Sequence, residues 1–219
     1  DHRDLHSFPT RRSSDLIGPE TAGWFRTPIE KLSDLEGLKI RFSGLGGMVL
    51  NRIGASATLM AGGEIFGALE KGTLDATEYS MPAIDEILGF YKIAKFNLFP
   101  GWHQPSTSTH FMINLDKWNA MGSADQALFE MACTAATMRA YTTGEALQGA
   151  QIKSFESKGV TAAKLPDDVI AELKRVADEV MIEEAAKDAD FKRIWESQQA
   201  FHADYQVWKE WGYLPRDFN

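Results

Sequence analysis

An arginine closing a short alternating run is the residue of this sequence whose type and place first suggest chemistry. Leu38, Ile40 and Phe42 alternate with Lys39 and Arg41, the period of two expected of a strand. A glycine-rich stretch, GLGG at residues 44–47, follows at once. Ligands of open α/β sheets lie beyond the carboxyl ends of strands, where helix N-termini also favour anions. Arg41 could there grip a carboxylate through two parallel hydrogen bonds. Alternatively it is a solvent-facing charge ending an edge strand, and position alone leaves both readings open. Glu78 and Tyr79 close another strand candidate, DATEY. A carboxylate and a ring at a strand terminus could hold a cation and cap a ligand, or Glu78 is a solvated strand end. In the loop GWHQP, residues 101–105, Gln104 could offer an amide oxygen to a hard cation or a hydroxyl. His103 and His110 are seven apart with no third ligand nearby, a weak zinc pattern.

Other chemistries find little support. GLGG lacks the third glycine of G-x-G-x-x-G, and no Walker GK[ST] sequence occurs, so the glycines are read as permitting a tight turn. No G-x-S-x-G, H-E-x-x-H or Cys–His arrangement is present, which counts against hydrolysis. The net charge of -8 argues against nucleic acid, whose phosphates need clustered Lys and Arg. Cys133 is the single cysteine, so there is neither an intrachain disulfide nor a thiolate metal cluster, and the compartment stays open. No apolar run nears the roughly 20 residues of a membrane helix.

The elements that must position these residues alternate short strands with helices. Strands are expected at 38–42, 57–60, 74–80 and 109–115, and helices at 48–53, 61–72 and 82–90. That order predicts an α/β unit with a largely parallel sheet. After residue 122 the sequence turns helical. Residues 123–158 contain no proline and predict one very long helix, with Gly144 and Gly149 as places for a kink. A short strand is expected at 160–165. Pro166 then suits the start of a helix whose buried stripe is Val169, Leu173, Val176 and Val180. The last helix carries Phe191, Trp195, Phe201, Tyr205 and Trp208 on one face, a stripe read as packing.

Residues 1–16 lack apolar periodicity and the features of a signal peptide. The stretch HSFPTRRSSDL, residues 6–16, resembles a translated short-read sequencing adapter. On that reading the leader is non-native or disordered, and an N-terminal part of the protein is missing.

Three segments carry a family resemblance: GWFRTPIEKLSDLEGLKIRFSGLGG, AGGEIFGALEKGTLDATEY and YKIAKFNLFPGWHQP. In order and spacing they resemble the solute-binding proteins of TRAP (tripartite ATP-independent periplasmic) transporters, over roughly residues 18–219. ALEKGTLDATE followed by FPGWHQP looks like the branch that binds 2-oxo or 2-hydroxy monocarboxylates, in some members with a metal ion. The resemblance implies an α/β, periplasmic-binding-protein-like fold of two lobes, closing on ligand by a hinge. Residues 17–106 would form the ligand-binding lobe. Residues 107–146 would be a remnant of the other lobe with a crossing strand and the long connector helix. Residues 147–219 would return to the first lobe and end in helices. One lobe is then nearly complete and the other mostly missing, so the chain is expected to bind ligand weakly.

The resemblance also implies roles. Arg41 corresponds to the anchor of the ligand carboxylate. Glu78 and Tyr79 correspond to positions meeting the ligand or its cation, and Gln104 to a cation-coordinating position. Tyr79 departs from the tryptophan common in the branch. Glu20, four before Trp24, stands where many relatives have glutamine. A carboxylate beside a carboxylate ligand repels it unless a cation sits between them, which favours a bridging metal, sodium or a divalent ion, or a different ligand. No organic cofactor is implied. The implied function is periplasmic capture of a small organic acid and delivery to the membrane permease subunits, not catalysis. A homodimer is a further possible partner, through the aromatic C-terminal helix. The competing readings are an extracytoplasmic carboxylate sensor and an enzyme on the same scaffold, with Glu20 or Glu78 as its acid or base.

Overall fold

The computed structural model describes residues 10–215. In chain order the first half runs β1 (Thr10–Ile17), β2 (Gly23–Phe25), β3 (Lys39–Arg41), α1 (Gly44–Ile53), β4 (Ser56–Thr58), α2 (Gly62–Glu70), β5 (Ala76–Thr77), α3 (Pro82–Leu88) and β6 (Phe96–Phe99). The second half runs β7 (Thr107–Ile113), α4 (Leu115–Ala120), α5 (Ser123–Ser154), β8 (Thr161–Lys164), α6 (Asp167–Lys187) and α7 (Ala189–Gly212). Among the described residues no helix is long and apolar enough to cross a membrane.

Six strands make one sheet in the order β4-β3-β5-β2-β6-β8. β3 pairs parallel with β4 and β5, and β6 with β8, while β2 is antiparallel to both β5 and β6. Five strands therefore point one way and β2 alone is reversed. The expected parallel sheet holds except at this strand, which the sequence reading missed. Trp24 and Phe25 are both buried and belong to different core clusters. Adjacent residues of a strand face opposite sides, so a central strand covered on both faces reads as an unbroken apolar run without alternation. β6, in the aromatic segment 96–99, escaped notice for the same reason.

Helices cover both faces. On one side Val49 and Leu50 of α1 pack with Ile40, Phe42 and Leu98 of the sheet region, beneath Val169, Leu173, Val176 and Val180 of α6. All four α6 residues are buried as their spacing predicted. Arg52 and Glu183 clamp α1 to α6 at the surface through two hydrogen bonds of 2.8 and 2.7 Å. On the other side Ile65 and Leu69 of α2 meet Trp24, Phe90 and Phe155. Phe155 closes edge-on against Trp24 at 5.2 Å, so the far end of α5 anchors in this core.

Three expectations change. The leader was excluded from the fold up to residue 16, yet Thr10–Ile17 is a strand paired antiparallel with β7 in a separate two-stranded sheet. Ladder pairing is made by backbone groups, which need no apolar periodicity in the side chains. Residues 1–9 lie outside the described ones. GLGG is not a loop but the first turn of α1, with Gly44 at φ 59°. A Cβ on Gly46 would sit 2.3 Å from the Phe42 ring, so the glycines let the helix start directly on that ring. Finally, the aromatic stripe of α7 is packed only at its start: Phe191 and Trp195 are partly buried, whereas Phe201 is 69% exposed and Trp208 57%. Among the described residues α7 packs chiefly on α6.

α5 runs unbroken across residue 146 and through both glycines for 32 residues. With β1, β7 and α4 it forms the part outside the six-stranded lobe.

Candidate functional site

Because β2 is reversed, its beginning lies where its neighbours end. Arg41 ends β3, Glu78 follows β5 by one residue, the loop 100–104 leaves β6, and Glu20 precedes β2. Four segments distant in sequence thus deliver polar side chains to one edge of the sheet, the edge where α/β ligands bind.

The loops there are held by their backbones. Gly101 donates to the Glu20 carbonyl at 3.0 Å, Thr21 to the Ser80 carbonyl at 3.1 Å, and Glu78 to the Arg41 carbonyl at 3.1 Å. A Cβ on Gly101 would lie 2.3 Å from the Glu20 oxygen, so only glycine permits this approach.

Arg41 is half-buried and already engaged. Its Nη1 donates to the Glu78 carbonyl at 2.7 Å and to Glu78 Oε2 at 2.9 Å, and its Nε to the Met60 carbonyl at 3.4 Å. Its guanidinium carbon stands 5.6 Å from the centre of the Tyr79 ring. Both Nη1 hydrogens are used, so the expected two-atom fork is not free. Nη2 makes no hydrogen bond to the described residues and keeps both its N–H groups. Tyr79 packs edge-on against Phe90 at 6.0 Å and closes over Gly62, where an added Cβ would meet the ring at 2.9 Å.

Glu20 and Glu78 are 4% and 3% exposed, a depth at which an ionised carboxylate needs partners. Glu20 Oε1 accepts from Gln104 Nε2 at 3.0 Å and from Thr107 Oγ1 at 2.9 Å, and Gln104 Nε2 also contacts Thr107 Oγ1. Gln104 therefore turns its amide N–H toward Glu20, where an amide oxygen toward a cation was expected. Glu20 Oε2 is buried with no hydrogen-bond partner, and so are both ring nitrogens of His103. His103 Nε2 stands 3.7 Å from Glu20 Oε2 and 3.6 Å from Glu78 Oε1, beyond hydrogen-bond length. Burial opposes charging this imidazole, but the two neighbouring carboxylates of Glu20 and Glu78 outweigh it and raise its pKa.

Glu20, Glu78 and His103 can each offer one ligand atom within 4.8 Å of the others. The sequence pattern marks both acids but not His103, for which spacing offers only His110. His110 lies on β7 in the other sheet and is exposed. His103's true partners arrive from strands 25 and 83 residues earlier, a distance at which spacing carries no signal.

Beneath the site lies a further buried acid. Asp85 accepts from Trp24 Nε1 at 2.9 Å, and burial pushes its pKa up to about 8, with Glu78 and Glu20 adding to the effect against that bond.

The strand ends thus carry a half-buried guanidinium beside two buried carboxylates, and one carboxylate oxygen, Glu20 Oε2, has no hydrogen-bond partner. The chain belongs to the bacterial extracellular solute-binding protein family 7 (DctP), whose sequence profile matches residues 19–188. A monocarboxylate 2-oxoacid-binding periplasmic protein of Nostoc sp. is 34% identical over 191 residues, covering 87% of this chain and 52% of that one. A TRAP transporter solute-binding protein from Bordetella bronchiseptica, a mixed-occupancy dimer with copurified calcium and picolinate in one site and the other apo, superposes with a TM-score of 0.88 at 33% identity. That match covers 93% of this chain and 61% of the other. A TRAP periplasmic solute-binding protein from Pseudoalteromonas atlantica with bound sodium and pyruvate gives a TM-score of 0.85 at 30% identity, covering 92% and 62%. The chain thus spans about half the length of the curated relative. The fold is the two-lobed one of these proteins, with one lobe largely missing from this chain.

Proposed function

We propose that this chain carries the ligand-binding lobe of a periplasmic TRAP-type solute-binding protein that captures a small organic acid together with a cation and delivers it to a membrane permease. The single observation that carries this reading is the buried Glu20–Glu78–His103 group, with Glu20 Oε2 and His103 Nε2 unpartnered, beside an Arg41 whose Nη2 is free. Two carboxylates and an imidazole this close fit a metal ion, and Glu20, Glu78 and His103 are the residues that would hold it. Bound there, a cation would supply the positive charge that lets an anionic ligand approach two carboxylates. Arg41 Nη2 then anchors the ligand carboxylate, and the Tyr79 ring bounds the site beside it. Relatives support the class of ligand: one is described as binding 2-oxo monocarboxylates, and others hold pyruvate with sodium or picolinate with calcium. Capture followed by release asks only for binding groups, so the sensor and enzyme readings have no observation of their own.

An NMR titration with pyruvate at millimolar concentration is the test. Resonances around Arg41 and Tyr79 are expected to shift when sodium or calcium is present and to return when a chelator or cation-free buffer replaces it. Shifts of equal size without any cation would sink the cation-assisted reading.

A further inference from the structure

We propose that Thr107 is a positioning residue for solute capture, which couples occupancy of the site to the orientation of the two-stranded sheet through the Glu20 carboxylate; this rests on the capture proposed above. Two segments pass between the sheets: residues 18–22 join β1 to β2, and residues 100–106 join β6 to β7. Glu20 lies on the first. Gln104 lies on the second, and Thr107 opens β7 directly after it. Segments that cross between two bodies are where a hinge motion is absorbed.

The two oxygens of Glu20 serve different parts of the molecule. Oε1 accepts from Gln104 Nε2 at 3.0 Å and from Thr107 Oγ1 at 2.9 Å. Gln104 Nε2 also contacts Thr107 Oγ1, so the three side chains close a triangle that ties one crossing segment to the other. Oε2 of the same carboxylate is buried with no hydrogen-bond partner and stands 3.7 Å from His103 Nε2. A carboxylate is planar and rigid, so drawing Oε2 toward a bound cation displaces Oε1 as well.

Displacement at Oε1 is passed on by Thr107. The backbone of Glu20 is held on both sides, its N–H donating to the Gln104 carbonyl at 3.4 Å and its carbonyl accepting from Gly101 at 3.0 Å. The flexible Gln104 side chain can follow the carboxylate, but Thr107 is β-branched and stiff at χ1, so a pull on its hydroxyl reaches its backbone. That backbone is the end rung of the two-stranded sheet: Thr107 pairs with Ile17, and the ladder runs on from there to Thr10 and Ile113. The other role open to the triangle is only to satisfy a buried charge. A hydroxyl from the site's own sheet would serve that purpose equally, whereas this one comes from the sheet beyond the crossing.

The test is amide NMR of the whole chain, titrated with pyruvate in the presence of calcium and, separately, of sodium. Residues 111–113 lie about 13 Å or more along β7 from Thr107, so their amides report the sheet rather than the ligand. In the wild-type chain they are expected to shift in step with Arg41 and Tyr79. Thr107→Val keeps the shape and removes the hydroxyl. There the shifts at Arg41 and Tyr79 are expected to persist, at higher pyruvate concentration, and those at 111–113 to be lost. Thr107→Ser is expected to restore them, a readout that a purely structural hydroxyl would not move. Wild-type shifts at Arg41 and Tyr79 with none at 111–113 would overturn the coupling, and this arm decides whether or not the valine variant folds. A response retained in Thr107→Val, or not restored in Thr107→Ser, would overturn the assignment to the hydroxyl. In each of these cases capture itself stands. No shift at any of these residues with either cation would remove both.

Discussion

In the proposed site Arg41 does two jobs with different nitrogens. Nη1 and Nε are spent on Glu78 and Met60, which fix the plane of the group, and Nη2 makes no hydrogen bond to the described residues. A lysine offers one nitrogen and no plane, so Arg41→Lys cannot hold Glu78 and a ligand at once. Arg41→Ala is expected to weaken organic-acid binding by about 2 kcal/mol or more, and Arg41→Lys to recover little of that. A lysine variant equal to wild type in the pyruvate titration would refute the anchor. Asp85 makes a different prediction. Its folded pKa is raised from 3.8 to about 8, so over that window the folded protein keeps a proton the unfolded chain has released. Its contribution is fully present below about pH 4 and is lost as pH rises through about 8. Urea midpoints should fall between pH 5 and 8, and Asp85→Asn should flatten the decline; an unchanged slope in the variant would contradict the assignment. The sequence pattern places Arg41 at the end of its strand and Glu78 and Tyr79 just beyond theirs. The roles of His103 and Asp85 were not legible there, since each depends on partners brought close only by the completed sheet.

Elements that contradict a local rule here do so for identifiable reasons. Glycine normally weakens a helix, yet three of the first four residues of α1 are glycine and the helix forms. Its first turn rests on Phe42, the residue that also steadies His103. Gly46→Ala would gain about 1 kcal/mol of helix propensity. Against that, a Cβ 2.3 Å from the Phe42 ring overpacks the contact at a cost of about 1–3 kcal/mol. Net destabilisation is expected by urea denaturation, together with a moved His103 resonance, and a variant stabler than wild type would show the ring to be free to retreat. Strand β2 teaches the complementary lesson. Alternation reveals strands with one wet face, as at Lys39–Arg41, and hides strands buried on both, as at Gly23–Phe25. α6 was read correctly because its stripe is narrow and its opposite face charged. The stripe of α7 was read as core because periodicity says that a face is apolar and cannot say what covers it.

At the scale of the molecule, the polar edge of the six-stranded sheet borrows one partner, Thr107, from β7 of the two-stranded sheet, and one lobe of the two-lobed fold is largely missing from this chain. A two-lobed protein gains affinity by enclosing its ligand and excluding water. This chain is therefore expected to bind an organic acid more weakly than micromolar, and calorimetry giving a micromolar or tighter constant would show that one lobe suffices. The polar network at that edge is also long-range in a literal sense. Gln104 and Thr107 reach Glu20 across 84 and 87 residues, and Arg41 reaches Glu78 across 37. Contacts of such separation form only after the intervening chain has been ordered, which makes them slow to appear during folding. A ligand that recognises them meets nothing to bind in the unfolded chain or in early folding species. It should lengthen the lifetime of the folded state by slowing unfolding, and leave the rate of refolding unchanged.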